Sequence, residues 1–79
     1  MHLEIVTPHK NLFSGRVNLV QLPGVDGSFE ILKNHAPIIS SLTKGTIKIR
    51  NHVGEEAFFD IEGGVVEVKK NVIIVLADN

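Results

Sequence analysis

The segment TIKIRNHVGEEAFFDIE, residues 46–62, decides the fold. Ile47 and Ile49 alternate with Thr46, Lys48 and Arg50, the period-two pattern of a strand with one wet face. Asn51 to Gly54 then reads as a hairpin turn. Ala57 to Glu62 alternates again, with Ala57, Phe59 and Ile61 inward. Phe58 falls on the outer face beside Asp60 and Glu62. Two such runs across a short turn predict an antiparallel hairpin lying on a core.

The same rhythm continues in both directions. Upstream, Leu3 to Val6 opens a strand that Pro8 ends. Arg16 to Leu22 reads as another, with a shift of phase between Leu19 and Val20 that predicts a bulge or burial on both faces. Pro23-Gly24 is expected to stop it, and Val25-Asp26-Gly27 to turn the chain. Ser28 to Leu32 returns, Lys33 to Pro37 is an irregular loop, and Ile38 to Leu42 is a strand or a tight turn. Downstream, Gly63-Gly64 marks a turn or bulge. Val65 to Val68 and Val72 to Ala77 follow, joined across Lys69-Lys70-Asn71. The run Val72 to Leu76 is apolar on both faces. It predicts a central strand between two layers, or a face covered by another chain. No stretch holds a helical period over ten or more residues. The fold class is all-β: one domain over residues 1–79, a two-sheet β-sandwich of about ten short, mostly antiparallel strands.

Composition narrows the function. A core built from 79 residues supplies roughly 3–5 kcal/mol, so a partner is an expected support. There is no Cys, which excludes disulfides and thiolate metal sites. The net charge of −1 comes from scattered charges, and Trp and Tyr are absent. Neither a phosphate-neutralising stripe nor a base-stacking platform is present, which argues against nucleic acid. Met1 to Glu4 lacks the layout of a signal peptide, and no apolar run reaches the ~20 residues that span a bilayer.

Chemistry has few candidates. His2, His9, His35 and His52 are dispersed, without the spacing of a metal site. Asp26, Ser28 and His35 contain the residue types of a hydrolytic triad, but the loop offers little room for an oxyanion hole. Glu55-Glu56 are strand neighbours that point to opposite faces. The glycines punctuate strands and no helix follows them, so they form no phosphate loop. Lys69 or Lys70 at a hairpin tip resembles the modified lysine of lipoyl and biotinyl carrier domains, without their usual flanking residues. No catalytic residue, metal or cofactor is expected. The loops 24–27 and 33–37 remain as recognition surfaces. They flank one short strand, and only a tight bend at Glu30-Ile31 would bring them together.

The order of motifs resembles the epsilon subunit of the rotary F-type ATP synthase. It runs from Leu3-Glu4-Ile5-Val6-Thr7-Pro8 through Leu12-Phe13-Ser14-Gly15, Leu22-Pro23-Gly24 and Gly27. Asn34-His35-Ala36-Pro37 is the most specific element. Gly45 to Ile49, Phe58-Phe59, Gly63 to Val68 and Val72 to Asp78 complete it. The resemblance implies a non-catalytic subunit of the rotor. It would be clamped to the gamma subunit and seated on the ring of membrane c subunits, coupling ion flow to ATP synthesis. It implies a peripheral position on the cytoplasmic face of a bacterial membrane. The implied c-ring contact comprises Asp26, Gly27, Ser28, Glu30, Lys33, Asn34, His35, Ala36 and Pro37, with His35 near the rotor interface. The gamma-facing surface maps only to a sheet face. Ser28 replaces a frequent acidic residue, Glu30 a frequent Gly, and Lys33 a frequent Pro or Gly. The acidic contact is therefore expected at Asp26 or Glu30. Members of the family commonly continue into a two-helix hairpin that in some bacteria binds ATP and inhibits hydrolysis. The sequence stops at Asn79, before that hairpin, so neither role is expected here.

Overall fold

The computed structural model describes all 79 residues and contains nine strands and no helix. They are β1 (His2–Val6), β2 (Asn11–Arg16), β3 (Leu19–Gly24), β4 (Gly27–Leu32), β5 (Ile38–Leu42), β6 (Gly45–Arg50), β7 (Glu56–Ile61), β8 (Gly64–Lys69) and β9 (Val72–Ala77). One layer has the order β2-β1-β9-β8-β5 and the other β4-β3-β6-β7. The pair β1·β9 is parallel and every other pair is antiparallel.

The two layers are continuous at one corner. There Gly24 faces Leu42, the Thr43 N–H donates to Pro23 O at 2.8 Å, and the Val25 N–H donates to Ser41 O at 3.2 Å. At the opposite border Phe13 of β2 and Phe59 of β7 meet with ring centroids 5.7 Å apart, tilted by 59°. The sandwich is thus nearly closed. Between the layers lie Leu3, Ile5, Val20, Leu22, Ile31, Ile47, Ile61, Val66, Ile73 and Val75, all fully buried. Each such side chain contributes about 1.5–3 kcal/mol of transfer free energy. No polar or charged side chain is buried.

The 46–62 hairpin forms as its pattern predicts. β6 pairs with β7 from Gly45↔Ile61 to Arg50↔Glu56, with Ile47, Ile49 and Ile61 buried and Ala57 and Phe59 half-buried against them. Phe58 stands outward, 61% exposed. The loop is organised by Asn51, whose Oδ1 accepts from the Val53 and Glu55 N–H groups. At the hairpin's base, Arg50 donates to Glu56 Oε2 through Nε at 3.0 Å and through a terminal guanidinium nitrogen at 2.8 Å. These bonds, with the charge of Lys48 nearby, hold the Glu56 carboxyl below the usual range. The associated stability is present above the ordinary carboxyl pKa and fades as the pH falls through the lowered one.

Two expectations are corrected, and one open alternative is decided. Arg16 to Leu22 is not one strand. Arg16 ends β2, a strand the alternation did not announce, and the chain crosses between layers at Val17-Asn18 before β3. That corner is held by the Val17 N–H to Met1 O and the Asn18 N–H to Arg50 O. Leu19 and Val20 are both buried, so the phase shift marks burial on two faces. Nor does Pro23-Gly24 stop β3. A residue's N–H and C=O point to the same strand edge, and β6 pairs only with Leu19–Gln21. The hydrogen bond Pro23 cannot donate is therefore not required there. Finally, β4 does not bend at Glu30-Ile31: it pairs residue by residue with the whole of β3.

Candidate functional site

Because β4 is straight, the two candidate loops lie at opposite ends of the molecule, roughly 17–20 Å apart along the strand. Val25 and Asp26 form the exposed tip of the β3–β4 hairpin, and Gly27, at φ +127°, opens β4 opposite Gly24. Ser28 follows on the outer face of the four-stranded layer. Glu30 lies midway along β4 in the row Glu30–Gln21–Lys48–Phe58. Lys33, Asn34, His35, Ala36 and Pro37 make up the β4–β5 loop at the far end. The nine residues therefore form two surfaces. Asp26 and Ser28 are at one end and His35 at the other, so they make no triad. The four histidines lie apart, and no three His, Asp or Glu side chains are grouped to hold a metal ion.

The far loop is locked by a contact that local sequence does not reveal. The Asn34 N–H donates to Asn71 Oδ1 at 2.7 Å, and Asn71 Nδ2 donates to Asn34 Oδ1 at 3.1 Å. Asn34 has φ +66°, and Lys70 and Asn71 have φ +52° and +63°. Lys70-Asn71 is thus a two-residue turn with both residues left-handed, the form that matches strand twist and favours Asn. This clip ties the Asn34-His35-Ala36-Pro37 loop to the β8–β9 turn. Asn71→Gly keeps the turn and deletes the side-chain bonds; a loss of about 1–2 kcal/mol is expected in urea unfolding. Asn71→Ala also strains the left-handed position and is expected to lose about 1 kcal/mol more.

The strands also build a surface that lay beyond the sequence reading. On the outer face of the five-stranded layer, three rows run across the sheet. They are Val6–Leu76–Val65–Ser41, Glu4–Ile74–Glu67–Ile39 and Arg16–His2–Val72–Lys69. Ile39 is 73% exposed and Leu76 56%, and Val65 and Val72 are also exposed. The outer face of the other layer carries Lys48, Arg50, Glu56, Asp60, Thr46, Gln21 and Glu30, with Phe58 and, at one end, Leu32 as exposed apolar residues. One face is polar and the other has an apolar field spanning four strands, the mark of an interaction surface. Beside the field, along the free edge of β5, Pro37, Ile38, Ile39, Glu67, Val68 and Lys69 line a shallow groove of ≈ 490 Å³. Sequence reading flagged only the Val72–Leu76 run, which proves to be central in its layer with one face on the core and the other bare.

Comparison with known proteins agrees with this architecture. The chain superposes with a TM-score of 0.91 on a chain of the Euglena gracilis mitochondrial ATP synthase, solved in an assembly that includes the c-ring. Identity is 16%, over 98% of this chain and 49% of that one. A chain of the Tetrahymena thermophila mitochondrial ATP synthase central stalk and c-ring matches with a TM-score of 0.82 and 22% identity, over 99% of this chain and 63% of that one. At such identities the likeness is one of fold, and this chain spans about half to two-thirds of those chains. The model of the ATP synthase delta/epsilon chain beta-sandwich domain matches residues 1–79, from the first residue to the last, and the chain belongs to that family.

Proposed function

We propose that this protein is a non-catalytic subunit of an ATP synthase rotor. In this role it bridges the gamma subunit and the c-ring and couples ion flow to ATP synthesis. The observation that carries the reading is the family match over all 79 residues. The fold supports it: two opposite ends and one apolar face offer separate surfaces to separate partners. No helix is long and apolar enough to cross a membrane, and in this reading association with the bilayer runs through those partners. The position that follows is peripheral, on the cytoplasmic face of a bacterial membrane.

Of the two carboxylates considered for the c-ring, Asp26 is the better placed. It projects from a hairpin tip, whereas Glu30 lies within a sheet row beside Gln21. Asp26, Gly27 and Ser28 form the c-ring contact in this reading, and the Asn34–Pro37 loop at the other end belongs to a different partner. Co-purification from detergent-solubilised membranes tests the reading, since gamma and c subunits are expected with the tagged protein. Asp26→Lys is expected to weaken binding to isolated c-ring about tenfold, against little change for Glu30→Lys. Retention of neither subunit by the unaltered protein refutes the assignment.

A further inference from the structure

Asp26-Gly27 is the one place in the chain where Asp or Asn precedes Gly. That dipeptide carries a reaction of its own. The Gly27 backbone nitrogen lies one residue from the Asp26 side-chain carboxyl, and its attack there closes a five-membered ring. Tethering makes such an attack effectively unimolecular once the two atoms meet. A side chain on the following residue obstructs the nitrogen, and glycine has none. At Gly27 a Cβ would meet nothing within 4 Å, so the approach is open. Val25 to Ser28 are all exposed. The ion pairs of the protein are His2–Glu4, Lys44–Glu62 and Arg50–Glu56, so none holds the Asp26 carboxylate. The pair Gly24↔Gly27 is the last rung of the β3–β4 ladder. Two glycines face each other there, and no cross-strand side-chain contact clamps them. Such terminal rungs open at small free-energy cost. Val25 stays tied to Ser41 O at 3.2 Å, which confines the opening to Asp26-Gly27. The other candidates are held. Asp60 precedes the β-branched Ile61, and its Oδ1 accepts from Thr46 Oγ1 at 2.8 Å. Asp78 precedes Asn79, whose side chain is bonded to the Glu62 N–H and to Asp60 O. Every asparagine before Asn79 is followed by Leu, His or Val.

We propose that Asp26 is a site of isoaspartate formation, and that the altered tip of the free chain is a substrate for an isoaspartyl carboxyl methyltransferase. The Gly27 nitrogen bonds to Asp26 Cγ, and the carboxyl OH leaves with the amide proton as water. Water then adds to one of the two ring carbonyls. Addition at Cγ restores aspartate. Addition at the main-chain carbonyl breaks its bond to Gly27, so the chain now runs through Cβ and Cγ and a free α-carboxylate remains. One water leaves and one enters, so the mass is unchanged and no oxidant or reductant is needed. In the methylation, an α-carboxylate oxygen takes the methyl group from the sulfonium of S-adenosylmethionine, whose sulfur departs as a neutral thioether. Isomerisation lengthens the backbone by one carbon in a turn without slack. A Cβ added at Gly24 would already fall 2.7 Å from Gly27 O and 2.8 Å from the Phe29 ring. Ile31, fully buried, fixes the register further along β4. The strain therefore stays at the tip, where the Gly24–Gly27 rung is lost.

Peptide mapping of the full chain, aged folded in neutral buffer at physiological temperature, tests this. A second peptide containing residue 26 is expected, with unchanged mass and shifted retention. It is expected to resist a protease that cleaves before Asp, and to take label from tritiated S-adenosylmethionine in the presence of a purified isoaspartyl methyltransferase. Asp26→Glu, whose ring would need six members, is expected to lose the second peptide and the label together. Label on Asp78 or on an asparagine instead of Asp26, or label undiminished in Asp26→Glu, overturns the assignment. Isoaspartate that forms at residue 26 in urea but not in the folded chain overturns it as well, because the closed rung then protects the pair. A second peptide that the methyltransferase leaves unlabelled overturns the enzyme's part. Nothing in this chemistry depends on the function proposed above, and its failure leaves that reading untouched.

Discussion

Gly64→Ala is expected to leave the protein largely unfolded at 25 °C. Gly64 opens β8 at φ +149°, a region that a side chain enters only at a cost of about 1–3 kcal/mol. The space is also taken. A Cβ there would fall on the Leu76 carbonyl oxygen and 3.1 Å from Ala77 Cα. These are backbone atoms of β9 inside a five-stranded layer, where Gly64 pairs with Ala77 on one side and Leu42 on the other. They move only if the ladder opens. Strain and lost pairing together amount to roughly 3–5 kcal/mol, comparable to the whole stability expected of a chain this short. Two neighbours calibrate the result. At Gly63, φ +145°, the nearest atom to an added Cβ is an Asp78 carboxylate oxygen at 3.1 Å, on a side chain that can swing away. At Gly27, φ +127°, the space is open. Both alanine variants bear backbone strain alone and are expected to fold, with losses of about 1–3 kcal/mol. Circular dichroism and urea titration of the three variants check the order. A Gly64→Ala protein as stable as Gly27→Ala refutes the packing argument.

Ile31→Ala has the second largest expected effect, about 2–5 kcal/mol. Ile31 is the only residue of β4 that is fully buried, and β4 pairs with β3 alone. Its ladder bonds face solvent on the other edge. Truncation removes the anchor of an edge strand that has no second neighbour to hold it. Leu32→Ala, next in sequence but 52% exposed, is expected to change stability by less than about 0.5 kcal/mol. Urea midpoints of the pair test the assignment of faces directly, because one residue of slip along β4 would exchange the two results.

Ile31 and Leu32 also show why much of this fold could be read in advance. Wherever one face is wet and the other packed, alternation reports the strand, its register and its inward residues. Thr46 to Ile61, Leu3 to Val6 and Val65 to Val68 all meet that condition. β2 fails it. Leu12 and Phe13 are both half-buried at the border where the layers meet, so apolar residues stand side by side and the period is lost. Pro23 misled because its local meaning, a strand stop, depends on which edge lacks a neighbour, and that is settled by β5 and β6 far along the chain. The candidate site divided in the same way. The loops were visible as loops, but their separation depended on β4 being straight. The apolar field was hardly visible at all. Val6, Ile39 and Val65 are each unremarkable in sequence, and only the pairing of β1, β5 and β8 with β9 assembles them beside the Val72–Leu76 run. The Asn34–Asn71 clip, 37 residues in span, has no local signature either.

The single parallel pairing, β1 against β9, bears on how the protein comes to exist in a cell. His2 lies beside Val72 and Val6 beside Leu76, so β1 pairs with a strand that is made only after seven others. At about 5–20 residues per second, β1 leaves the ribosome on the order of several seconds before β9 exists. Until then the β1–β2 hairpin has an open edge, and Leu3 and Ile5 have no opposing strand to help bury them. Long-range closure of this kind slows folding and lengthens the exposure of adhesive edges. The nascent chain is therefore a natural client for a holding chaperone. A permuted gene that starts at the β6–β7 loop and joins β9 to β1 by a flexible linker would bring the two strands out together and shorten that wait.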